Sequence, residues 1–146
     1  MARSMSAASA QAYTVGDYYK VVSLSSGNCM DADAGYGQSV GIVECQQGLT
    51  SQKWLLESTS DSGYYKFHNQ AVGGCLDDSQ GYLYDDLCVS GSSTERFALQ
   101  STSQSGYYKL VDQSTGQCVF YSEDSAYFQA CAQGADDQKF KLQATN

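Results

Sequence analysis

A threefold internal repeat constrains this chain more than any other feature. Tyr-Tyr-Lys stands at Tyr18-Tyr19-Lys20, Tyr64-Tyr65-Lys66 and Tyr107-Tyr108-Lys109, and a cysteine follows eleven residues after each first tyrosine, at Cys29, Cys75 and Cys118. A second cysteine comes next, at Cys45, Cys88 and Cys131. Nine residues on lies a large aromatic (Trp54, Phe97, Phe140), and two further a leucine (Leu56, Leu99, Leu142). From the second cysteine onward the copies repeat every 43 residues, while copy one holds three extra residues between its cysteines, 16 apart against 13. Self-similarity at such a period means one supersecondary unit packed against its own copies.

Gly27, Gly73 and Gly116, each two residues before a first cysteine, mark tight turns. The joints 58–63 and 101–106 are polar hexapeptides, too short to link separate domains. The expected organisation is one domain over 13–146, with repeats 18–63, 64–106 and 107–146, after a tail or leader remnant at 1–12. That tail ends in the small-x-small pattern Ala10-Gln11-Ala12 but lacks the apolar run of a secretory signal.

Within each copy the period is two. Tyr19 and Val21 share one strand face, Tyr18 and Lys20 the other, and the later copies follow suit. About four short strands per copy are expected, near 18–24, 28–31, 40–44 and 54–58 in the first, with no helical stripe. The chain reads as all-β. A propeller normally needs at least four blades. Three units of this size instead suit a closed, pseudo-threefold barrel capped by hairpins, a β-trefoil, in which Trp54, Phe97 and Phe140 form the core. Closure also leaves few open strand edges.

Six cysteines allow 15 connectivities, and the repeat favours Cys29–Cys45, Cys75–Cys88 and Cys118–Cys131. Such bridges point to an oxidising compartment, hence a secreted or extracellular protein. The spacings and the single histidine do not suit zinc, so neither a metal nor any other cofactor is expected. Asp31-Ala32-Asp33-Ala34-Gly35 opens like a calcium loop, yet Ile42 stands where the bidentate glutamate belongs.

The formal net charge is −8, and six of the eight bases occupy two repeat-equivalent positions, so symmetry disperses them. Nucleic acid and anionic membranes both need a basic stripe, and neither is expected as a partner. His68 has valines at its repeat equivalents and reads as a surface residue. With the cysteines in bridges, no nucleophile and base are marked out, and an enzyme is not expected.

What remains is a surface suited to sugars. Between the paired cysteines, tyrosines mix with acids: Tyr36 near Asp31 and Asp33, Tyr82 and Tyr84 near Asp77 and Asp78, Tyr121 and Tyr127 near Glu123 and Asp124. An aromatic ring covers the apolar face of a pyranose, while carboxylate or amide oxygens accept from its hydroxyls.

These residues carry a resemblance. Gln52-Lys53-Trp54 resembles the Gln-x-Trp signature of ricin B-type lectins and family 13 carbohydrate-binding modules, with Gln138-Lys139-Phe140 and Glu95-Arg96-Phe97 as variants. The Gly-x-Cys turns followed by Met30-Asp31 or Leu76-Asp77 are similar too, and the likeness spans residues 18–146. It implies a β-trefoil lectin with up to three shallow sites for galactose or N-acetylgalactosamine. The anchoring aspartate falls at Asp31 and Asp77, with Phe120 in copy three. The stacking aromatic falls at Tyr84, beside Tyr82, and at Tyr127; copy one has Gly41 there, so Tyr36 is its substitute. A polar residue before the final aromatic completes each site: Ser51 or Gln52, Thr94 or Glu95, Asp137 or Gln138. Copy two is the most complete.

The partners so implied are glycans, free or on glycoproteins and glycolipids, and a homodimer would add avidity. The alternative is a β-trefoil protease inhibitor acting through one protruding loop. A partner-binding module with inactive sugar sites is a third reading.

Overall fold

The structure is a computed structural model that describes residues 13–79 and 81–145; the expectation for the tail at 1–12 lies outside them. Twelve strands appear where the period-two segments fall. They are β1 (Tyr18–Ser23), β2 (Cys29–Asp31), β3 (Gly41–Val43), β4 (Trp54–Ser58), β5 (Tyr64–Asn69), β6 (Cys75–Ser79), β7 (Tyr82–Asp86), β8 (Phe97–Ser101), β9 (Tyr107–Asp112), β10 (Cys118–Ser122), β11 (Ser125–Gln129) and β12 (Phe140–Ala144). Each copy also holds a one-turn 3₁₀ segment that the period did not suggest, at Thr50–Gln52, Ser93–Glu95 and Asp136–Gln138.

Pairing closes the ring β1–β4–β5–β8–β9–β12 and back to β1, all antiparallel. This is the six-stranded barrel of a β-trefoil. The hairpins β2–β3, β6–β7 and β10–β11 cap one end. They join one another through β11–β3, β11–β7 and an isolated bridge from Ser39 to Tyr84. Trp54, Phe97 and Phe140 are fully buried inside, with Phe67, Leu56 and Leu110. The bridges Cys29–Cys45, Cys75–Cys88 and Cys118–Cys131 form as the repeat favours, with Cα–Cα separations of 5.0, 5.2 and 5.0 Å. No helix among the described residues is long and apolar enough to cross a membrane.

The Tyr-Tyr-Lys motif has a structural cause. Its second tyrosines ring the open end of the barrel, where Tyr13 meets Tyr65 and Tyr108 edge-on at 5.8 and 5.3 Å, and Tyr19 accepts from Thr14 N. Its lysines turn back onto the loop past each second cysteine. Lys20 Nζ donates to Gln46 O (2.9 Å), Lys66 Nζ to Val89 O (2.6 Å) and Lys109 Nζ to Ala132 O. Lys109 is only 8% exposed. The strand face that carries Lys20 and its equivalents thus meets a loop in each copy, and these lysines hold the fold.

The β10–β11 turn is the one described hairpin built without glycine at positive φ. Glu123 and Asp124 stand at φ 51° and 67°, where copy two has Gly81 (φ 93°) in place of Asp124. Side chains in that region are strained, and two-residue hairpins favour glycine second. Asp124→Gly is expected to stabilise the protein by about 0.5–1 kcal/mol, since strain relief of ~1–2 kcal/mol outweighs glycine's added chain entropy. Urea unfolding measures this, and a lower midpoint would refute it.

Candidate functional site

The register of each cap hairpin decides what its outer face carries. Asp77 lies opposite Tyr84 in copy two, Asp31 opposite Gly41 in copy one, and Phe120 opposite Tyr127 in copy three. Directly opposed residues project to the same side, with Cβ atoms about 5 Å apart. Among the three hairpins, copy two therefore sets a carboxylate beside a ring. Copy one has the carboxylate without the ring, and copy three has two rings without the carboxylate.

In copy one the 3₁₀ turn delivers Gln52 beneath Asp31. Gln52 Nε2 donates to Asp31 Oδ2 (3.0 Å) and to Glu44 O (2.9 Å), while its Oε1 accepts from Gln46 N (2.8 Å). Trp54 Nε1 donates to Met30 O (3.2 Å), fixing the same strand from behind. Gln138 repeats the backbone part of this frame, with Ala132 N and Ala130 O at 2.8 and 2.9 Å. Gln52 and Gln138 are fully buried and their polar atoms engaged. They position the loop from within, and Gln52 also aims Asp31. The partly exposed Asp137 sits on the same turn as Gln138, and the position equivalent to Asp31 holds Phe120 in this hairpin.

Copy two keeps this frame but puts a carboxylate where the amide stands. Glu95 Oε1 accepts from Val89 N (2.8 Å) and lies 3.3 Å from Lys66 Nζ. Its carboxyl, 1% exposed, faces that of Asp77 within hydrogen-bonding reach. Like Gln52, it lies behind the surface rather than at it. Burial first, and then Glu95 and Asp86, push the Asp77 carboxyl up to about 6, against the pull of a hydrogen bond from Thr94. On the inner face, burial and a shared hydrogen bond with Asp112 of copy three push Asp78 up to about 7. Tyr84 Oη donates to Asp86 Oδ2 (3.3 Å), and Asp86 Oδ1 accepts from Leu87 N (2.7 Å).

The longer loop of copy one bonds to copy two. Gly37 N donates to Asp85 Oδ1 (2.9 Å), Asp85 N to Gln38 O (3.1 Å) and Val40 N to Leu83 O (3.0 Å), so the segment runs along β7. Tyr36, 49% exposed, rides with it. Partial desolvation, Asp86, Asp85 and Glu95 all push its phenol upward, and these acids belong to copy two. The extra residues thus set the Tyr36 ring within the influence of acids of the neighbouring hairpin. Tyr121 turns inward against the core, whereas Tyr82 and Tyr127 stay on the surface at 38% and 39% exposure.

Other groups offer less. His68 turns both ring nitrogens to acceptors, Glu57 Oε1 (3.3 Å) and Gly73 O (2.9 Å). It lies near Cys75 and Cys88, but their sulfurs are joined to each other and leave no thiolate for a metal. A hollow of about 440 Å³ beside Lys66, His68 and Arg96 is among the largest, yet no tyrosine, phenylalanine or tryptophan lines it.

The comparisons agree with this geometry. The designed threefold-symmetric protein ThreeFoil is 28% identical, with a TM-score of 0.72, over 86% of this chain and 97% of its own. SeviL, solved with the asialo-GM1 saccharide, is 15% identical with a TM-score of 0.77, over 91% of this chain and all of its own. The exo-β-1,3-galactanase 1,3Gal43A from Clostridium thermocellum is 24% identical with a TM-score of 0.73, over 88% of this chain but 30% of the enzyme. The last two show the fold alone. No curated protein matches. The family profile described as ricin-type β-trefoil lectin domain-like matches residues 9–85, more than half of the sequence. With a closed threefold barrel, three capped hairpins and a Gln-x-Trp turn aiming Asp31, the chain belongs to the ricin-type β-trefoil lectin domain-like family.

Proposed function

We propose that the protein is a secreted, non-enzymatic lectin for neutral glycans of galactose type, with copy two as its principal site. The observation that carries this reading is the cross-strand pair of Asp77 and Tyr84, a largely buried acceptor beside a partly exposed ring on the outer side of the hairpin. Asp77 accepts from adjacent sugar hydroxyls and Tyr84 covers the apolar face. Tyr36 closes the flank near Asp86, and Glu95 and Thr94 hold Asp77 from behind. Copy one supplies a weaker site at Asp31, whose Oδ1 is buried without a hydrogen-bond partner among the described residues. The family supports the sugar class, and a relative named as a galactanase supports galactose. Three disulfides support secretion. The loop that an inhibitor would need to protrude is instead bonded along β7.

A glycan array probed with the oxidised protein, with and without excess galactose, tests the reading. Galactose-competed binding is expected. A blank array from correctly folded protein would overturn it, and binding that galactose fails to displace would overturn the sugar preference.

A further inference from the structure

Resting on the lectin reading, we propose that the copy-two site extends across the junction with copy three into an oligosaccharide platform, with Tyr82 and Tyr127 flanking a second subsite. Sequence position assigns Tyr127 to copy three, where Phe120 has displaced the anchoring aspartate. The structure pairs Tyr127 in register with Tyr82 of copy two through β11–β7. Phe128 N donates to Gly81 O (2.8 Å) and fixes that junction.

Cross-strand partners share a face, and so do residues two apart on a strand. Phe120, Tyr127, Tyr82 and Tyr84 therefore form one row ending beside Asp77. Neighbouring rings stand 5.7 Å apart for Phe120–Tyr127 and 5.8 Å for Tyr82–Tyr84. Such steps are comparable to the advance of a glycan chain by one sugar. Between Tyr82 and Tyr127 lies a cleft of about 360 Å³, reached also by Gln38, Ser39 and Ser125. Its lining carries no carboxylate, imidazole, ammonium or guanidinium group; it offers two phenol rings, an amide and serine hydroxyls beside Gly37 and Ala126. That chemistry selects a neutral, hydroxyl-rich chain over a charged peptide or a phosphate, and continuity with Asp77 and Tyr84 makes the occupant the next units of the glycan bound there. The half-site that lost its aspartate thus serves the neighbouring copy, and the ligand spans the junction instead of filling three separate pockets.

Isothermal calorimetry with β1,4-linked galactose chains of one to four units, on the full oxidised chain, tests this. Affinity is expected to rise roughly tenfold from one unit to three or four, the size of one added aromatic contact. Tyr127→Ala should cut that gain to less than about threefold, and Tyr127→Phe, which keeps the ring, should retain it. Both variants are on the surface, and their thermal midpoints check folding. Single-sugar binding with no gain in longer chains, or a gain untouched by Tyr127→Ala, would overturn the platform and leave the lectin reading standing. Absence of binding at every length would overturn both.

Discussion

Replacing Asp77 with alanine is expected to weaken galactose binding at the copy-two site by about 10- to 100-fold, which in an open, shallow site removes it from view. A hydrogen bond to a charged acceptor contributes about 1.5–3 kcal/mol, and Asp77 can accept from two adjacent hydroxyls. The loss should not come from unfolding. Asp77 faces the Glu95 carboxyl, so its removal relieves an acid pair. The equivalent Asp31→Ala change should cost less total binding, because Gly41 gives copy one no opposing ring. Wild-type binding should also tighten as pH rises through about 6, the value to which Asp77 is pushed, because the ionised form is the stronger acceptor. Titrations at pH 5 and 8, with circular dichroism of both variants, decide the matter. Unchanged affinity in a folded Asp77→Ala protein would move the site elsewhere.

The barrel was legible because its signals are local and tripled. Alternation around Tyr18–Ser23 repeats at Tyr64–Asn69 and Tyr107–Asp112, and the cysteine pairs close loops of fixed length in each copy. Asp77 and Tyr84 were named through what the resemblance implies, and the short hairpin between bridged cysteines sets them opposite one another. Contacts between copies were not legible. Three extra residues in copy one reveal a longer loop but not its direction, so the docking of Tyr36 on β7 was invisible. The Gln-x-Trp pattern likewise names Gln52 without saying that burial turns it into a support. The bonds of Lys20, Lys66 and Lys109 to a loop from beyond the second cysteine were equally hidden, since that loop is distant in the chain. The pairing of Asp78 with Asp112 depends on two copies meeting, and neither residue's neighbours announce it.

Glu95→Gln is expected to stabilise the protein at pH 8 by about 1–2 kcal/mol while leaving it nearly unchanged at pH 4. In copy one an amide at this position donates to Asp31, with the rest of the frame the same. In copy two an acid faces Asp77, and one proton must be shared or two buried charges must repel. Asp77 titrates at about 6 in the folded protein against 3.8 ordinarily, so the native state holds a proton that the unfolded chain releases between those values. Stability is therefore fully present below about pH 4 and falls as pH rises through about 6. A shift of that size is worth roughly 3 kcal/mol, of which burial alone accounts for part. The substitution also removes the partner of Lys66, but Lys20 and Lys109 sit in the same place beside glutamines and keep their carbonyl bonds. Some decline toward pH 8 should persist in the variant, because Asp78, held near 7 beside Asp112, is untouched; adding Asp78→Asn should flatten it further. Urea unfolding at pH 4, 6 and 8 reads the whole series. Parallel profiles for wild type and Glu95→Gln, or a variant less stable at pH 8, would show that the Lys66 pair outweighs the acid pair and that Glu95 is a stabilising choice in copy two.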